Sequence, residues 1–273
     1  MLKQLAPFCL LLWLPVSSAP ASDIRVICPY GGALINEVKT SHMGYTVVMK
    51  DMALLKGLFF QWIRPEAFQV NGFLYQSSNI NYSTVWGGHL MGDAYFLRSP
   101  LGSGVAGAGS EFLYITMDAG SNPMPLTNGG YTGFSDFKMK NTVATPFVRA
   151  GYRFTPFTGI VKLSVFPWAG AQYEGARVHM AVDFSVLHPQ PSDTSTSDWF
   201  ALAGLGVNAN LFHFIDLEAK YHATFNTSVN YPTVTAMANV FVTRHIGLSY
   251  RFKYMEMSMG SNIYHMGGIA FVF

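Results

Sequence analysis

The sequence predicts an all-β protein, a transmembrane antiparallel up-and-down β-barrel of ten strands, with twelve possible. Three observations predict this fold. Half of the residues (50%) are hydrophobic and 15% are aromatic, but only 12% are charged, whereas about a quarter is usual for soluble domains. After the N-terminal segment no run of about 18 apolar residues occurs, which argues against membrane-spanning helices. Apolar residues instead alternate with polar ones, as in strands that cross a bilayer with their backbone groups paired.

The first 21 residues have the layout of a secretory signal peptide. Lys3 precedes an apolar run from Leu5 to Val16, and Ala19 and Ala21 occupy the small-residue positions of a cleavage site. The run is shorter than the roughly 20 residues that a membrane anchor needs. We therefore expect cleavage near Ser22 and export across the inner membrane.

Charge and cysteine content exclude several function classes. The net charge of +2 and the absence of a basic run argue against nucleic-acid binding. Cys9 lies in the signal peptide, so Cys28 is left alone in the exported chain and no internal disulfide can form. We expect Cys28 to be a buried or reduced thiol. No cofactor is predicted.

The C-terminal third alternates most clearly. From Ile215 to Phe225 every odd position is apolar and every even position is polar, over about the length of one tilted membrane strand. Residues 199–210, 234–243 and 248–254 repeat the pattern, and short turns join these segments. One face of each strand is thus predicted to contact lipid, and the other face the lumen.

The last strand carries a resemblance to a known class. One of its faces ends the chain on aromatic residues and consists of Ile263, His265, Gly267, Ile269, Phe271 and Phe273. A soluble edge strand this apolar would aggregate. In these features the sequence resembles the Gram-negative outer-membrane β-barrel superfamily, as a broad class that covers nearly all of the exported chain. The resemblance implies that Phe271 and Phe273 form a C-terminal signal read by the barrel-assembly machinery. It also implies that the cell outer membrane is the destination of the exported chain, and that outer-membrane lipid and lipopolysaccharide surround the barrel.

The remaining strands define the domain limits. Residues 143–154 and 161–165 alternate, and weaker patterns cover 67–77, 84–97 and 104–118. This gives ten strands, or twelve if 45–50 and 58–63 also enter the wall. Residues 22–43 are interpreted as a periplasmic lead-in or partial plug, and 44–273 as the barrel. Short connections are predicted to be periplasmic turns, and the long ones, 119–142 and 185–198, to be extracellular loops.

The strand phase sends a set of polar side chains into the lumen. The predicted lumen-lining residues are Arg149, Arg153, Lys162, Asp216, Glu218, Lys220, His222, Arg251 and Lys253, together with Asp93, Glu111 and Glu174. Four of them, Arg153, Lys162, Asp216 and Glu218, lie near short turns and should cluster at the periplasmic end. They form either a structural network that fills the lumen or a charged constriction that selects solutes.

Methionines share the inward phase on the last strands. Met237, Met255, Met257 and Met266, with Met259, are predicted to form an apolar lumen lining. Ordinary packing, an apolar-ligand lining and soft copper ligation all remain open, although alternating methionines are a weak metal signal and no metal site is assigned.

These features favour a small channel or transporter for small or apolar solutes. The alternatives are a structural or adhesive barrel with a plugged lumen, whose loop around Tyr131 and Phe134 would bind partners, and an outer-membrane hydrolase. For a hydrolase, His188 with the nearby loop aspartates is the best local candidate, but no enzyme signature is present and no catalytic residue is assigned. Aromatic residues near strand ends are expected to form the interfacial girdles, namely Trp86, Trp168, Trp199, Tyr152 and Tyr221.

Overall fold

The chain forms long antiparallel strands. The computed structural model describes residues 24–42, 45–64, 67–78, 83–118, 124–125, 131–132, 136–158, 161–183, 192–212, 214–226, 230–257 and 260–273. The strands are β1 (Ile24–His42), β2 (Tyr45–Arg64), β3 (Phe68–Ser78), β4 (Ser83–Ser99), β5 (Gly102–Asp118), β6 (Met124–Pro125), β7 (Tyr131–Thr132), β8 (Asp136–Thr158), β9 (Val161–Asp183), β10 (Ser192–Leu211), β11 (Ile215–Phe225), β12 (Asn230–Phe241), β13 (Ile246–Met257) and β14 (Gly260–Val272). Within these residues no helix is long and apolar enough to span a membrane.

Twelve of the strands close into one barrel. Going round the wall, the order is β1, β14, β13, β12, β11, β10, β9, β8, β5, β4, β3 and β2, and every neighbouring pair is antiparallel. At the seam, Arg25 and Phe273 exchange backbone hydrogen bonds of 3.2 and 2.9 Å. We call the end that holds these two residues the terminal end, and the opposite end the loop end. All strand connections at the terminal end are short.

The expected count of ten strands is wrong, and the count is twelve. The two segments 45–50 and 58–63 are parts of one strand, β2, and the other additional strand is β1. Residues 24–42 therefore lie in the wall, paired with both β14 and β2, and are not a lead-in or plug. The alternation was hidden because β1 is apolar on both faces, with Cys28 and Leu34 buried and Ile35 exposed.

Two strands extend into regions where long loops were expected. β8 begins at Asp136 and pairs with β9 up to Asp183, and β10 begins at Ser192. The outward positions there are polar, so the apolar alternation stops although the backbone pairing continues. At the terminal end, by contrast, Gly102 is required for its tight turn, because it has a φ of +147° and a Cβ would lie 1.9 Å from the Arg153 carbonyl oxygen.

The barrel interior is divided into two halves. Toward the loop end the inward side chains are mostly apolar and tightly buried, as at Leu34, Leu55, Val85, Ile115 and Met257. Toward the terminal end they are mostly charged, amide or aromatic. The outward positions carry exposed apolar side chains, among them Leu205, Val207, Leu217, Leu248, Tyr250 and Ile269. The fold thus has an apolar exterior and gathers its inward charged side chains mainly in the terminal half and at its boundary with the loop half.

Candidate functional site

A cavity of about 790 Å³ occupies the terminal half of the interior, and we call it the terminal chamber. Its lining includes the turn residues Phe212, Phe214 and Arg244, which place it at the terminal end. Five cationic and three anionic side chains line it, namely Arg149, Arg153, Lys162, Lys220, Arg244, Asp93, Asp216 and Glu218. Its volume lies within the range of roughly 300 to 1,000 Å³ that is common for ligand pockets.

Two ion pairs account for four of these charges. The Arg149 guanidinium donates from Nε and Nη2 to the Asp93 carboxylate over 2.8 to 3.1 Å, and the two side chains are only 10% and 9% exposed. Arg149 reaches Asp93 across β5, where Gly107 leaves room because a Cβ would lie 2.0 Å from Asp93 Oδ1. In the second pair, Lys220 Nζ lies 2.5 Å from Glu218 Oε1.

The other charges in the chamber are not paired with each other. Arg153 donates to the Tyr95 hydroxyl over 3.4 Å and stacks on its ring, and within the described chain it forms no ion pair. Among the described residues Lys162 also has no ion pair. Asp216 accepts hydrogen bonds from Asn208 at 3.0 Å and from Asn239 at 3.5 Å. The chamber therefore has more unpaired cationic than anionic groups.

A stacked aromatic pair forms one wall. The rings of Phe166 and Trp168 lie 5.4 Å apart at 21°. They fit because the neighbouring strand carries Gly204 and Gly206, where a Cβ would come within 2.4 Å and 2.1 Å of these rings. Trp168 is 7% exposed and points inward, so its assignment to an interfacial girdle is wrong. Trp86, Trp199 and Tyr221 are exposed on the outside, as that assignment requires.

A layer of polar contacts crosses the interior between the two halves. Lys253 pairs with Glu111, and their strands β13 and β5 lie six places apart in the twelve-strand wall, which is diametrically opposite. Beside this bridge Arg251 donates to the Tyr30 hydroxyl at 2.6 Å and stacks on the Phe59 ring at 3.4 Å. The pair Lys253–Glu111 therefore ties opposite walls together, and we call it the cross-barrel bridge.

The structure brings only some of the sequence-predicted site residues together. Eight line the terminal chamber: Asp93, Arg149, Arg153, Lys162, Asp216, Glu218, Lys220 and Met237. Arg251 and Lys253 lie in the bridge layer, and His222 packs near Trp168 at a ring distance of 6.4 Å. Met255, Met257 and Met266 are buried in the apolar cluster. Met259, His188 and Phe134 lie outside the described residues.

The exterior of the loop end carries a polar cluster on β9 and β10. His179 Nδ1 lies 2.6 Å from Asp193 Oδ1, and Arg177 lies 3.7 Å from the same carboxylate. The hydrogen bond to His179, with the charges of His179 and Arg177, lowers the pKa of Asp193. All three side chains are exposed, Arg177 by 71%. No set of three or more His, Cys, Asp and Glu side chains in the described part of the chain is arranged to hold a metal ion.

Sequence reasoning missed the aromatic residues of the interior. Tyr30, Phe59, Phe166, Tyr75 and Tyr264 were not singled out, although the last two share a hydrogen bond of 2.9 Å between their hydroxyl groups. A usable signal was the inward pair of glycines at 204 and 206, because small residues on an inward face leave room for large side chains on the neighbouring strand.

Comparison with known proteins identifies the fold. No family model and no curated protein sequence matches the chain. Among solved structures, the translocator domain of the autotransporter NalP from Neisseria meningitidis is similar with a TM-score of 0.54 and 13% identity, covering 100% of this chain and 95% of that chain. The transport unit of the autotransporter AIDA-I from Escherichia coli gives a TM-score of 0.48 at 10% identity and coverages of 99% and 97%. The KdgM porin gives 0.45 at 9% identity and coverages of 90% and 99%. The similarity to the NalP translocator domain thus shows that the chain has the same closed-barrel fold.

Proposed function

We propose that the chain is an outer-membrane barrel that provides a gated passage for small solutes. The cross-barrel bridge carries the proposal: one ion pair spans the interior between the terminal chamber and the loop half. An ion pair across a lumen is a reversible closure, because its two partners belong to opposite walls and can separate without any strand leaving the sheet. In the described state the bridge and the packed loop half together close the passage, so opening requires the bridge to separate and the loop half to rearrange.

The exterior supports the proposed location. Exposed apolar residues cover the outward faces of the strands, and Trp86 and Trp199 lie where these faces give way to polar residues toward the loop end. Arg177 lies four residues beyond Tyr173, the register partner of Trp199, which is about 13 Å along the strand. Lys140 is exposed on β8 and pairs in register with His179. These cations complement the phosphates of lipopolysaccharide, which we propose as the lipid partner at this surface.

A structural barrel that passes nothing is the second candidate, and the packing of the loop half favours it. Leu34 and Ile115 have no exposed surface and Met257 is 7% exposed, so the described loop half holds a close-packed core. Under this proposal the bridge only adds stability. Removal of the bridge therefore distinguishes the two candidates, since it opens a gated passage but only destabilises a structural barrel.

Single-channel recording in planar bilayers tests the choice. The double variant Glu111→Gln/Lys253→Gln removes both charges of the bridge, and its barrel is verified first by a heat-modifiable gel shift. We expect discrete openings that are at least about tenfold more frequent than in the unmodified protein. A matched control is Arg177→Gln/Asp193→Asn, which removes an exposed ion pair on the outer face of the barrel wall. This control should leave the frequency of channel openings unchanged. A folded double variant as silent as the unmodified protein would refute the gated passage and favour the structural barrel.

A further inference from the structure

We infer that the terminal chamber binds small organic anions that carry an apolar or aromatic body. The inference deepens the proposed function, on which it rests, by naming the class of solute. The chamber combines unpaired cations, unpartnered hydrogen-bond donors and an aromatic wall. Together these features complement a ligand with a negatively charged head and an apolar body.

The charges of the chamber favour an anion. Asp93 and Glu218 are neutralised by Arg149 and Lys220. Arg153, Lys162 and Arg244 then remain as cationic lining groups that form no ion pair within the described chain, against the single carboxylate of Asp216. Asp216 already accepts two amide hydrogen bonds. Lys162 and Arg244 are exposed at the rim, whereas Arg153 is half-buried. A bound anion would therefore compensate the charge of Arg153, which no acidic side chain of the described chain neutralises.

Two buried donors in the same lining lack partners. Arg153 Nε and Trp168 Nε1 are both buried, and neither has a hydrogen-bond partner. Buried N–H groups are nearly always paired, so an unpaired one requires an explanation. A carboxylate near Arg153 would give its guanidinium a charge-assisted partner, which is the strongest kind available to it. The position of these donors indicates an acceptor that is supplied from outside the chain.

The aromatic wall specifies the rest of the ligand. Phe166 and Trp168 stack on each other, and Lys220 and Arg149 lie 5.7 and 5.3 Å from the centroids of these rings. Val105, Met237 and Phe241 add apolar surface to the lining. A simple inorganic anion would leave this surface without contacts. An aromatic carboxylate fills it and places its charge at Arg153.

Calorimetric titration of the nanodisc-embedded protein tests the site, with empty nanodiscs as the blank. The probes are benzoate, its neutral analogue benzyl alcohol, and benzylammonium. We expect benzoate to bind at least about tenfold more tightly than benzyl alcohol, and benzylammonium not to bind. Arg153→Gln should weaken benzoate binding by about tenfold or more, and Arg153→Lys should weaken it less. Arg98→Gln is the matched control, because Arg98 lies at the same end but outside the chamber lining, and it should bind like the unmodified protein.

The outcomes separate this inference from the gated passage. Binding of benzoate that depends on Arg153 supports the site even if the bilayer recordings are silent, and openings without such binding support the passage and overturn the site. Equal binding of benzoate and benzyl alcohol, no benzoate binding, or unchanged binding in Arg153→Gln each overturns the inference. If Arg153→Gln fails the gel-shift test, Lys162→Gln at the exposed rim replaces it, with weaker benzoate binding expected and unchanged binding as the refuting result.

Discussion

The ion pair between Arg149 and Asp93 should be a major source of barrel stability. Both side chains are nearly buried and share three hydrogen bonds of 2.8 to 3.1 Å. Asp93→Asn keeps the shape but leaves a buried guanidinium without its counter-charge. Removing one partner of a buried pair costs about 3 to 5 kcal/mol, so we expect the free energy of unfolding to fall by about 3 kcal/mol.

Gly107 provides an independent route to the same loss. A Cβ at this position would lie 2.0 Å from Asp93 Oδ1 and 2.9 Å from the Gly92 carbonyl oxygen. Gly107→Ala must therefore displace the Asp93 carboxylate away from Arg149 while both charges remain. We expect a destabilisation close to that of Asp93→Asn, again about 3 kcal/mol.

Equilibrium urea unfolding in lipid vesicles, followed by tryptophan fluorescence, measures these changes. A double-mutant cycle with Asp93→Asn and Arg149→Gln should give a coupling energy of about 2 kcal/mol or more. Asp118→Asn, an exposed acid on the same barrel, is the control and should change stability by less than about 0.5 kcal/mol. Additive single variants, or a loss below about 1 kcal/mol for Asp93→Asn, would refute the assignment of stability to this pair.

Two further predictions concern the chain end and the exposed polar cluster. Phe273→Ala should lower the fraction of heat-modifiable, assembled protein in isolated membranes several-fold while total synthesis stays constant, and equal assembly would argue against a C-terminal signal. The lowered pKa of Asp193 means that its bond to His179 is present above the ordinary carboxyl pKa and is lost only as the pH falls through a lower value. Titration of this carboxyl group by NMR should therefore give a pKa below the ordinary value in the unmodified protein and a higher one in His179→Ala, and identical values would contradict the contact.

The fold was readable where the two faces of a strand differ in polarity. In β11 the exposed Leu217 and Tyr221 alternate with inward Glu218 and Lys220, so the sequence itself carries the phase. In β1 and β2 apolar residues occur on both faces: the inward Leu34 and Phe59 are buried, and the outward Ile35 and Phe60 are exposed. The alternation of apolar and polar residues is therefore absent, although the strands themselves are regular. The error in strand count thus arises because apolar residues occupy both faces of the two missed strands.

The site was only partly readable for a different reason. The inward phase of Arg153 and Asp216 follows from local alternation, but the partners of an inward residue depend on barrel closure and strand stagger. Glu111 and Lys253 are 142 residues apart in sequence, and only closure with twelve strands places them opposite each other. A local pattern therefore predicts which residues enter the lumen, and the closed sheet determines which of them meet.

The apolar half of the interior contains one feature that a permanent plug does not need. Asn36 and Asn262 are register partners on β1 and β14, 3% and 0% exposed, and Asn36 Nδ2 and both polar side-chain atoms of Asn262 lack hydrogen-bond partners within the described chain. Each unpaired buried polar group costs about 1 to 3 kcal/mol. In a gated barrel these unpaired amides destabilise the closed state relative to the open state, in which water hydrates them. They therefore lower the free energy that opening requires.

Replacement of Asn262 by leucine tests this argument. Asn262→Leu should raise the free energy of unfolding by about 1 kcal/mol, since an apolar side chain of similar size removes the unpaired groups, and it should reduce the openings of the Glu111→Gln/Lys253→Gln background. Asn239→Leu is the contrasting control, because Asn239 accepts a hydrogen bond from Ser249 and donates one to Asp216. It should lower stability instead. Destabilisation by Asn262→Leu as large as that by Asn239→Leu would mean that the Asn262 amide is paired after all, and that its burial contributes nothing to gating.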